Sequence, residues 1–331
     1  MNPKMIYAPV IITTCNRYKH LVKCIESLEK NNWAKHTELY ISVDYPPYEK
    51  YVEGWKQICE FLKEPPMGFK KTHIFIQEEN LGPCKNIDFL YDLVFQTHDR
   101  VIVTEDDNFF SPNFLEYIDK GLIYYENDPR IMAVGGYSPN LRFYTHGNNV
   151  VALTDFCMWG CGLWREKREL LLERMNYSFF EDKAKNPLLM WKLYRNRSRY
   201  FSRLLGLLLA DTHAESLRGD VNMGITLGLN NWYTIHPVVS KVRNLGFDGS
   251  GQNITGSADS QREYESQPID TAHHFSYQVK KLKMESRNNR MLDKNNEWNS
   301  ERAKWYHDPL TYLIYWILGK KNFHRLIRGR R

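Results

Sequence analysis

The sequence predicts an α/β fold, with a mixed, mainly parallel sheet flanked by helices. Three observations point there. Short β-branched runs alternate with amphipathic stretches through the first 135 residues, the pattern of strand–helix–strand units. One run, Val101-Ile102-Val103-Thr104, ends abruptly in Glu105-Asp106-Asp107, and the carboxyl ends of parallel strands form the crevice where such sheets bind ligands. At 331 residues and 42% hydrophobic composition, the chain has enough material for one large core or two smaller ones.

The elements follow in order. Pro9 to Thr14 reads as the first strand, and Arg17 to Asn31 as a helix with Leu21, Val22, Ile25 and Leu28 on one face;. Leu39 to Val43 is a second strand ending at Asp44, Tyr51 to Leu62 a helix, and His73 to Ile76 a third strand. Asn80-Leu81-Gly82 makes a turn, and a helix through Phe89, Leu90 and Val94 leads to the acidic strand. Ser111-Pro112 supplies a cap and a first-turn proline for the next helix;. Ile131 to Val134 gives one more strand.

Beyond residue 150 the pattern becomes irregular, so the chain is divided into residues 1–150, 151–256, 257–300 and 301–331. In the second part Phe156 to Trp164 is aromatic and glycine-rich, Arg165 to Arg174 looks helical, and Trp191 to Leu209 is basic and Leu-rich. The third part is polar and expected to run partly extended over the surface. The last carries an apolar and aromatic run, Leu310 to Leu318, followed by Lys320, Lys321, Arg325, Arg328, Arg330 and Arg331. That composition suits a basic amphipathic helix lying on an anionic membrane, or a terminal helix docked on the protein's own core.

Charge excludes one class of partner. The net +6 resides in residues 301–331, which hold eight Lys/Arg against Glu301 and Asp308. The rest is neutral, whereas a nucleic-acid surface spreads basic charge over the folded body. Six scattered Cys without metal-ligand spacing suggest buried thiols in a reducing compartment;. No signal peptide or membrane-length run is visible;. The expected location is cytoplasmic, peripheral on the inner face of the plasma membrane.

Three adjacent carboxylates repel one another, and a divalent metal carrying a phosphorylated substrate would offset them, since hard oxygens suit Mg²⁺ or Mn²⁺. The first strand ends in Thr14-Cys15-Asn16-Arg17, where an arginine and helix-start amides can hold phosphates. No phosphate-binding Gly-x-x-x-x-Gly-Lys-Ser/Thr loop, Gly-x-Ser-x-Gly elbow or dinucleotide Gly-x-Gly-x-x-Gly is present;.

Taken in order, Thr14-x-Asn16-Arg17, Ser42-Val43-Asp44, Asn80-Leu81-Gly82, Thr104-Glu105-Asp106-Asp107 and Ser111-Pro112-x-Phe114 resemble the GT-A (Rossmann-like) nucleotide-sugar glycosyltransferases. Within these the chain is similar to bacterial family-2-like enzymes and to the N-acetylglucosaminyltransferase I group. Trp159-Gly160-Cys161-Gly162-Leu163-Trp164 and the stretch from His236 to Gly249 resemble later motifs of that group. The resemblance implies a metal-dependent, inverting transferase. Asp107 would bind Mn²⁺ or Mg²⁺, Glu105 and Asp106 would contact the donor's sugar and ribose, and Asn16 and Arg17 would lie beside the nucleotide. Asp44 would meet a uracil edge, pointing to a UDP-sugar, or would only terminate its strand. Lys85 could help Arg17 stabilise the leaving diphosphate.

The acceptor hydroxyl needs a general base. Asp220 is the candidate, at about the family's distance before the Pro237–Ser240 motif, with Asp155, Asp211 and Glu215 as rivals. Trp159 and Trp164 could stack on an acceptor sugar or pack in the core, and His236 is expected to pack structurally. A glycan or lipid-linked saccharide acceptor would fit bacterial surface polysaccharide or lipopolysaccharide assembly. The alternatives are a nucleotidyltransferase, which should carry a glycine- and lysine-rich phosphate loop, and a non-catalytic membrane-surface adaptor, which leaves the acids without a purpose.

Overall fold

A computed structural model describes residues 6–210, 217–250, 264–295 and 307–328. Asp211 and Glu215, and the outer parts of the basic tail, lie outside the described residues. The chain divides into two compact units. Unit 1 comprises Met1–Val151, Cys157–Lys167 and Ile235–Leu282; unit 2 comprises Ala152–Phe156, Arg168–Thr234 and Lys283–Arg331.

The expected alternation opens unit 1. It runs β1 (Val10–Thr14), α1 (Tyr18–Glu29), β2 (Glu38–Val43), α2 (Val52–Phe61), β3 (Lys71–Ile76), α3 (Gly82–Val94) and β4 (Arg100–Glu105). Then come β5 (Asn108–Phe110), α4 (Phe114–Tyr124), β6 (Ile131–Gly135), β7 (Val150–Leu153) and β8 (Cys161–Trp164), with β9 (Tyr233–Pro237) and β10 (Val242–Asn244) supplied later in the chain. The eight-stranded sheet has the order β3-β2-β1-β4-β8-β6-β9-β7. β3, β2, β1 and β4 are mutually parallel, and β8 is antiparallel to both β4 and β6. Their inward residues, such as Val10, Ile11, Ile12, Ile41, Val101 and Ile102, are fully buried, as expected for strands covered on both faces.

The strand order reverses direction at β1, whose neighbours are β2 and β4. That is the topological switch point of an open α/β sheet. The carboxyl ends of β1 and β4 carry Thr14–Arg17 and Glu105–Asp107.

Two local expectations are corrected. Ser111 does not cap α4: the N-cap is Asn113, and the Ser111 hydroxyl donates to the Asn113 side-chain oxygen at 3.0 Å. The Gly-rich stretch at Trp159–Trp164, read as part of an irregular region, is strand β8 over its last four residues. Gly162 is needed there because a Cβ would lie 2.5 Å from Ile118 Cγ2 of α4.

Of the polar third part, residues 267–282 run without regular structure along unit 1. Tyr277 donates to the Tyr117 carbonyl at 3.0 Å, and Gly121 of α4 leaves room for its ring.

Unit 2 is helical: α5 (Arg165–Arg174, entering from unit 1), α6 (Tyr177–Ala184), α7 (Pro187–Asn196), α8 (Ser198–Leu209), α9 (Asp220–Asn230), and two later helices, Ser286–Asn295 and His307–Arg328. The Leu-rich stretch seen in the sequence is two helices, broken where Arg197 takes φ −141° and ψ 82°. Arg197 is 1% exposed, and it donates to Asp155 at 2.9 Å, to Asp293 at 2.9 Å and to the Thr154 carbonyl. Asn176 and Asn186 cap α6 and α7 by accepting from the backbone amides of Phe179 and Leu189;. Among the described residues no helix is long and apolar enough to cross a membrane.

Candidate active site

The site grows from the turn after β4. Glu105, the last strand residue, is exposed, whereas Asp106 and Asp107 fold back under cover, at 3% and 5% exposure. Buried carboxylates need partners, and these two share one. Arg17, at the start of α1, donates Nη1 to Asp107 at 2.8 Å and Nη2 to Asp106. Thr14 at the end of β1 donates to the other oxygen of Asp106 at 2.7 Å. Two adjacent strand ends thus meet through their side chains.

Electrostatics follow from this packing. Burial pushes the Asp107 carboxyl up, Arg17 pulls it back, and Asp106 pushes it up again; the net shift is upward. Burial pulls the Arg17 guanidinium down, but Asp106 and Asp107 more than reverse this and hold it charged. Burial, aided by Asp44 and Asp106, pushes the Cys15 thiol up to about 12, so Cys15 is not a nucleophile at neutral pH.

A second element completes the site, and the sequence reading gave its residues no role. β5 pairs antiparallel with β10, setting Asn244 opposite Asn108 and returning the chain to the β4 tip. Asn244 donates to the second oxygen of Asp107 at 3.0 Å and to Asn108 at 3.2 Å, and accepts from the Gly246 amide at 2.8 Å. Gly246 itself lies against the carboxylate: a Cβ there would sit 2.1 Å from Asp107 Oδ2 and 3.1 Å from Arg17 Nη1. Gly54 of α2 plays the same part below Asn16, where a Cβ would come within 2.0 Å of the Asn16 carbonyl oxygen. The only sequence signal for Asn244 and Gly246 was the motif that contains them.

Asp44, also buried, faces the turn before α3. One oxygen accepts from the amides of Tyr45 (3.0 Å) and Leu81 (2.8 Å), the other from the Gly82 amide (2.9 Å) and the Asn80 side chain (3.2 Å). Its pKa is raised by burial against those amide donors. Lys85 is exposed on the first turn of α3.

The two tryptophans part company. Trp159 is half-buried and lies edge-on to Tyr137, Phe247 and Tyr264, with centroids 4.8, 5.9 and 6.0 Å away. Phe247 directly follows Gly246, so this aromatic group adjoins the acidic site. Trp164 corrects the expectation of a sugar platform. It is 5% exposed, donates its N–H to the Leu122 carbonyl at 3.2 Å and carries Lys167 Nζ 3.9 Å from its ring centroid, which leaves no face for a ligand. His236 packs structurally, with its Nδ1–H donated to the Tyr137 carbonyl at 2.8 Å. Asp220 belongs to unit 2, where it is the first residue of α9, after Gly219 at φ +121°.

Among the described residues no group of three or more His, Cys, Asp or Glu converges to hold a metal ion. The described side chains alone make no metal cage. A Mg²⁺-like ion that took one carboxylate and completed its shell with diphosphate oxygens and water would have to share the Asp107 oxygens with Arg17 and Asn244;.

The model of glycosyl transferase family 2 matches residues 10–187, the span that holds Thr14 to Arg17, Asp44, Lys85, Glu105 to Asp107, Trp159 and Trp164 and ends before Asp220, His236 and the β10 return. The chain belongs to glycosyl transferase family 2. Its sheet and helices are of the GT-A type. No curated protein matches the sequence significantly. Among solved structures the family-2 chain is similar to the mannosyltransferase PcManGT from Pyrobaculum calidifontis, in complex with GDP-Man and Mn²⁺, at 16% identity and a TM-score of 0.36. The match covers 52% of this chain and 48% of that one. It is also similar to S. aureus TarS, at 16% identity and a TM-score of 0.28, over 45% of this chain and 22% of that one. The chain therefore matches about half, or less, of the length of these structures.

Proposed function

We propose that this family-2 protein transfers a sugar from a nucleotide donor, a UDP-sugar, to a glycan or lipid-linked saccharide at the inner face of a membrane, in surface polysaccharide or lipopolysaccharide assembly. The observation that carries the reading is the buried Asp106–Asp107 pair at the tip of β4, joined to Arg17 across the switch point. Few purely structural needs explain two buried acids on one arginine at a sheet's ligand-binding edge.

In this reading Asp107 holds Mn²⁺ or Mg²⁺, oriented by Asn244. The bound ion supplies Lewis-acid neutralisation of the departing nucleoside diphosphate. Arg17 and Lys85 add cationic donors there. Thr14 fixes Asp106, which with Glu105 faces the donor's ribose and sugar, and Asn16 lies beside the nucleotide. Asp44 shapes the Asn80–Gly82 turn; a bond from a uracil N–H would replace one of the four donors that it accepts. Trp159 offers an edge of the acceptor region. Asp220 takes the proton of the attacking hydroxyl on the side opposite the diphosphate, which inverts the anomeric centre.

Calorimetric titration with UDP, with and without Mn²⁺, tests the donor site. Binding that needs Mn²⁺ and disappears in Asp107→Ala is expected; metal-independent binding unchanged in that variant would overturn it. Once a donor and acceptor are found, Asp220→Asn should lower kcat about 10²- to 10⁴-fold while leaving UDP affinity intact. Full turnover would remove Asp220 from the role.

A further inference from the structure

Unit 2 carries a feature that the donor site does not use. On α7, Leu188 is 80% and Trp191 53% exposed, one turn apart on the same side;. On the helix His307–Arg328, Leu310, Leu313 and Ile317 are 58%, 45% and 65% exposed, while Tyr312, Tyr315 and Phe323 turn inward.

The two stripes are neighbours. Tyr312 donates to the Ala184 carbonyl at 2.7 Å, and Trp316 donates to the Lys185 carbonyl at 2.9 Å, just before α7 begins. Beneath the surface a line of ring contacts joins the two helices as well: Trp191 to Tyr194 at 5.5 Å, Tyr194 to buried Phe201 at 5.3 Å and Phe201 to buried Tyr312 at 5.7 Å. A run of exposed large apolar side chains on one surface marks an interaction site.

Charge identifies the occupant. α7 holds Lys192 and Arg195 and no acid, and α8 holds Arg199 and Arg203 and no acid. The C-terminal helix holds Lys320, Lys321 and Arg325 against the acid Asp308, whose carboxylate is taken by the Ser202 hydroxyl. Gly319, at φ +69°, interrupts that helix between its apolar turns and its basic ones. α6, which leads into α7, adds Glu181 and Asp182 against Lys183 and Lys185, so the excess of cations lies on α7, α8 and the C-terminal helix. Exposed apolar side chains on helices with an excess of Lys and Arg match a surface that is greasy beneath and anionic on top.

We propose that unit 2 docks on an anionic lipid surface through a face built jointly by α7 and the C-terminal helix. The membrane tendency read in the basic tail thus extends to a helix more than a hundred residues earlier in the chain. The inference concerns unit 2 alone and holds whatever the site at Asp107 binds.

The test is sedimentation of the full chain with phosphatidylcholine vesicles, with and without phosphatidylglycerol. Wild type should sediment only with the anionic vesicles, and less as salt rises. Leu188→Asp with Trp191→Asp, and separately Leu313→Asp with Ile317→Asp, should each weaken binding at least tenfold. Circular dichroism and a thermal melt of the same samples report folding, and UDP titration tests the donor site separately. If either apolar pair misfolds, Lys321→Glu with Arg325→Glu, both exposed, carries the test with the same expected loss. Equal binding to neutral and anionic vesicles, wild-type binding by the α7 variant, or a dimer that these substitutions convert to monomer would overturn the proposal.

Discussion

Arg17 Nη1 donates to Asp107 Oδ2 at 2.8 Å while its Nη2 holds Asp106. The guanidinium therefore sits where a divalent ion would seek its carboxylate oxygen. A metal arriving alone must compete with Arg17. A metal arriving with a diphosphate meets less opposition, because the phosphates give both cations an anionic partner. Metal and nucleotide should then bind with positive coupling of about 1–3 kcal/mol, or roughly 5- to 150-fold. In Arg17→Gln, Mn²⁺ alone should bind more tightly, UDP more weakly, and the coupling should shrink. Electron paramagnetic resonance of free Mn²⁺, with and without UDP, measures all three; identical curves for both proteins would refute the competition.

Gly246→Ala tests the return of β10. The added methyl would fall 2.1 Å from Asp107 Oδ2, so the carboxylate must turn and abandon Arg17 or Asn244. UDP–Mn²⁺ affinity should fall at least about tenfold, the equivalent of one lost charge-assisted hydrogen bond. Gly206, exposed in α8 with nothing within 4 Å, is the control. Gly206→Ala should leave affinity unchanged and stabilise the fold by about 0.5–1 kcal/mol.

These positions also mark how far the sequence could be read. β1, β2 and β4 were legible because each is a largely buried apolar run of strand length, and the half-buried β3 because its His73–Ile76 run has strand length too; an amphipathic helix sets each off from the next. The acids were legible because three carboxylates at a strand tip are unusual whatever the fold. β8 was not: Cys161-Gly162-Leu163-Trp164 has neither period nor length to separate it from loop, and only pairing with distant β4 and β6 makes it a strand. Trp164 could not be assigned between stacking and core packing for a related reason, since the Leu122 carbonyl that takes its N–H lies 42 residues away. Asn244, Gly246 and Gly54 acquire meaning only from which backbone or carboxylate folds against them.

Asp44→Asn probes the Asn80–Gly82 turn. Each carboxylate oxygen accepts two donors, and an amide can replace only one of those oxygens. The introduced NH₂ would face donors and leave them unpaired, at a cost of about 1–3 kcal/mol. Faster hydrogen exchange is expected at the Gly82 amide, or at those of Tyr45 and Leu81, according to which way the amide turns. Unchanged exchange at all three would show that the carboxylate does not hold the turn.

Asp119 allows a test of charge burial away from the site. It is fully buried on α4; one oxygen accepts from the Ala8 amide at 3.0 Å, and the other has no partner among the described residues. Burial pushes its carboxyl well above the ordinary value of 3.8, against the pull of the Ala8 amide and Arg100. An acid raised in the folded state keeps its proton there after the unfolded chain has lost it. Above pH 3.8 the folded state thus binds more protons, and stability falls as pH rises towards the folded pKa;. An asparagine in its place has no proton to lose, so Asp119→Asn should gain on wild type as pH rises, by up to about 1.4 kcal/mol per pH unit inside that window. Urea midpoints at about pH 5 and about pH 8 measure the difference. A constant gap between the two proteins would mean that Asp119 titrates as an ordinary, solvated acid.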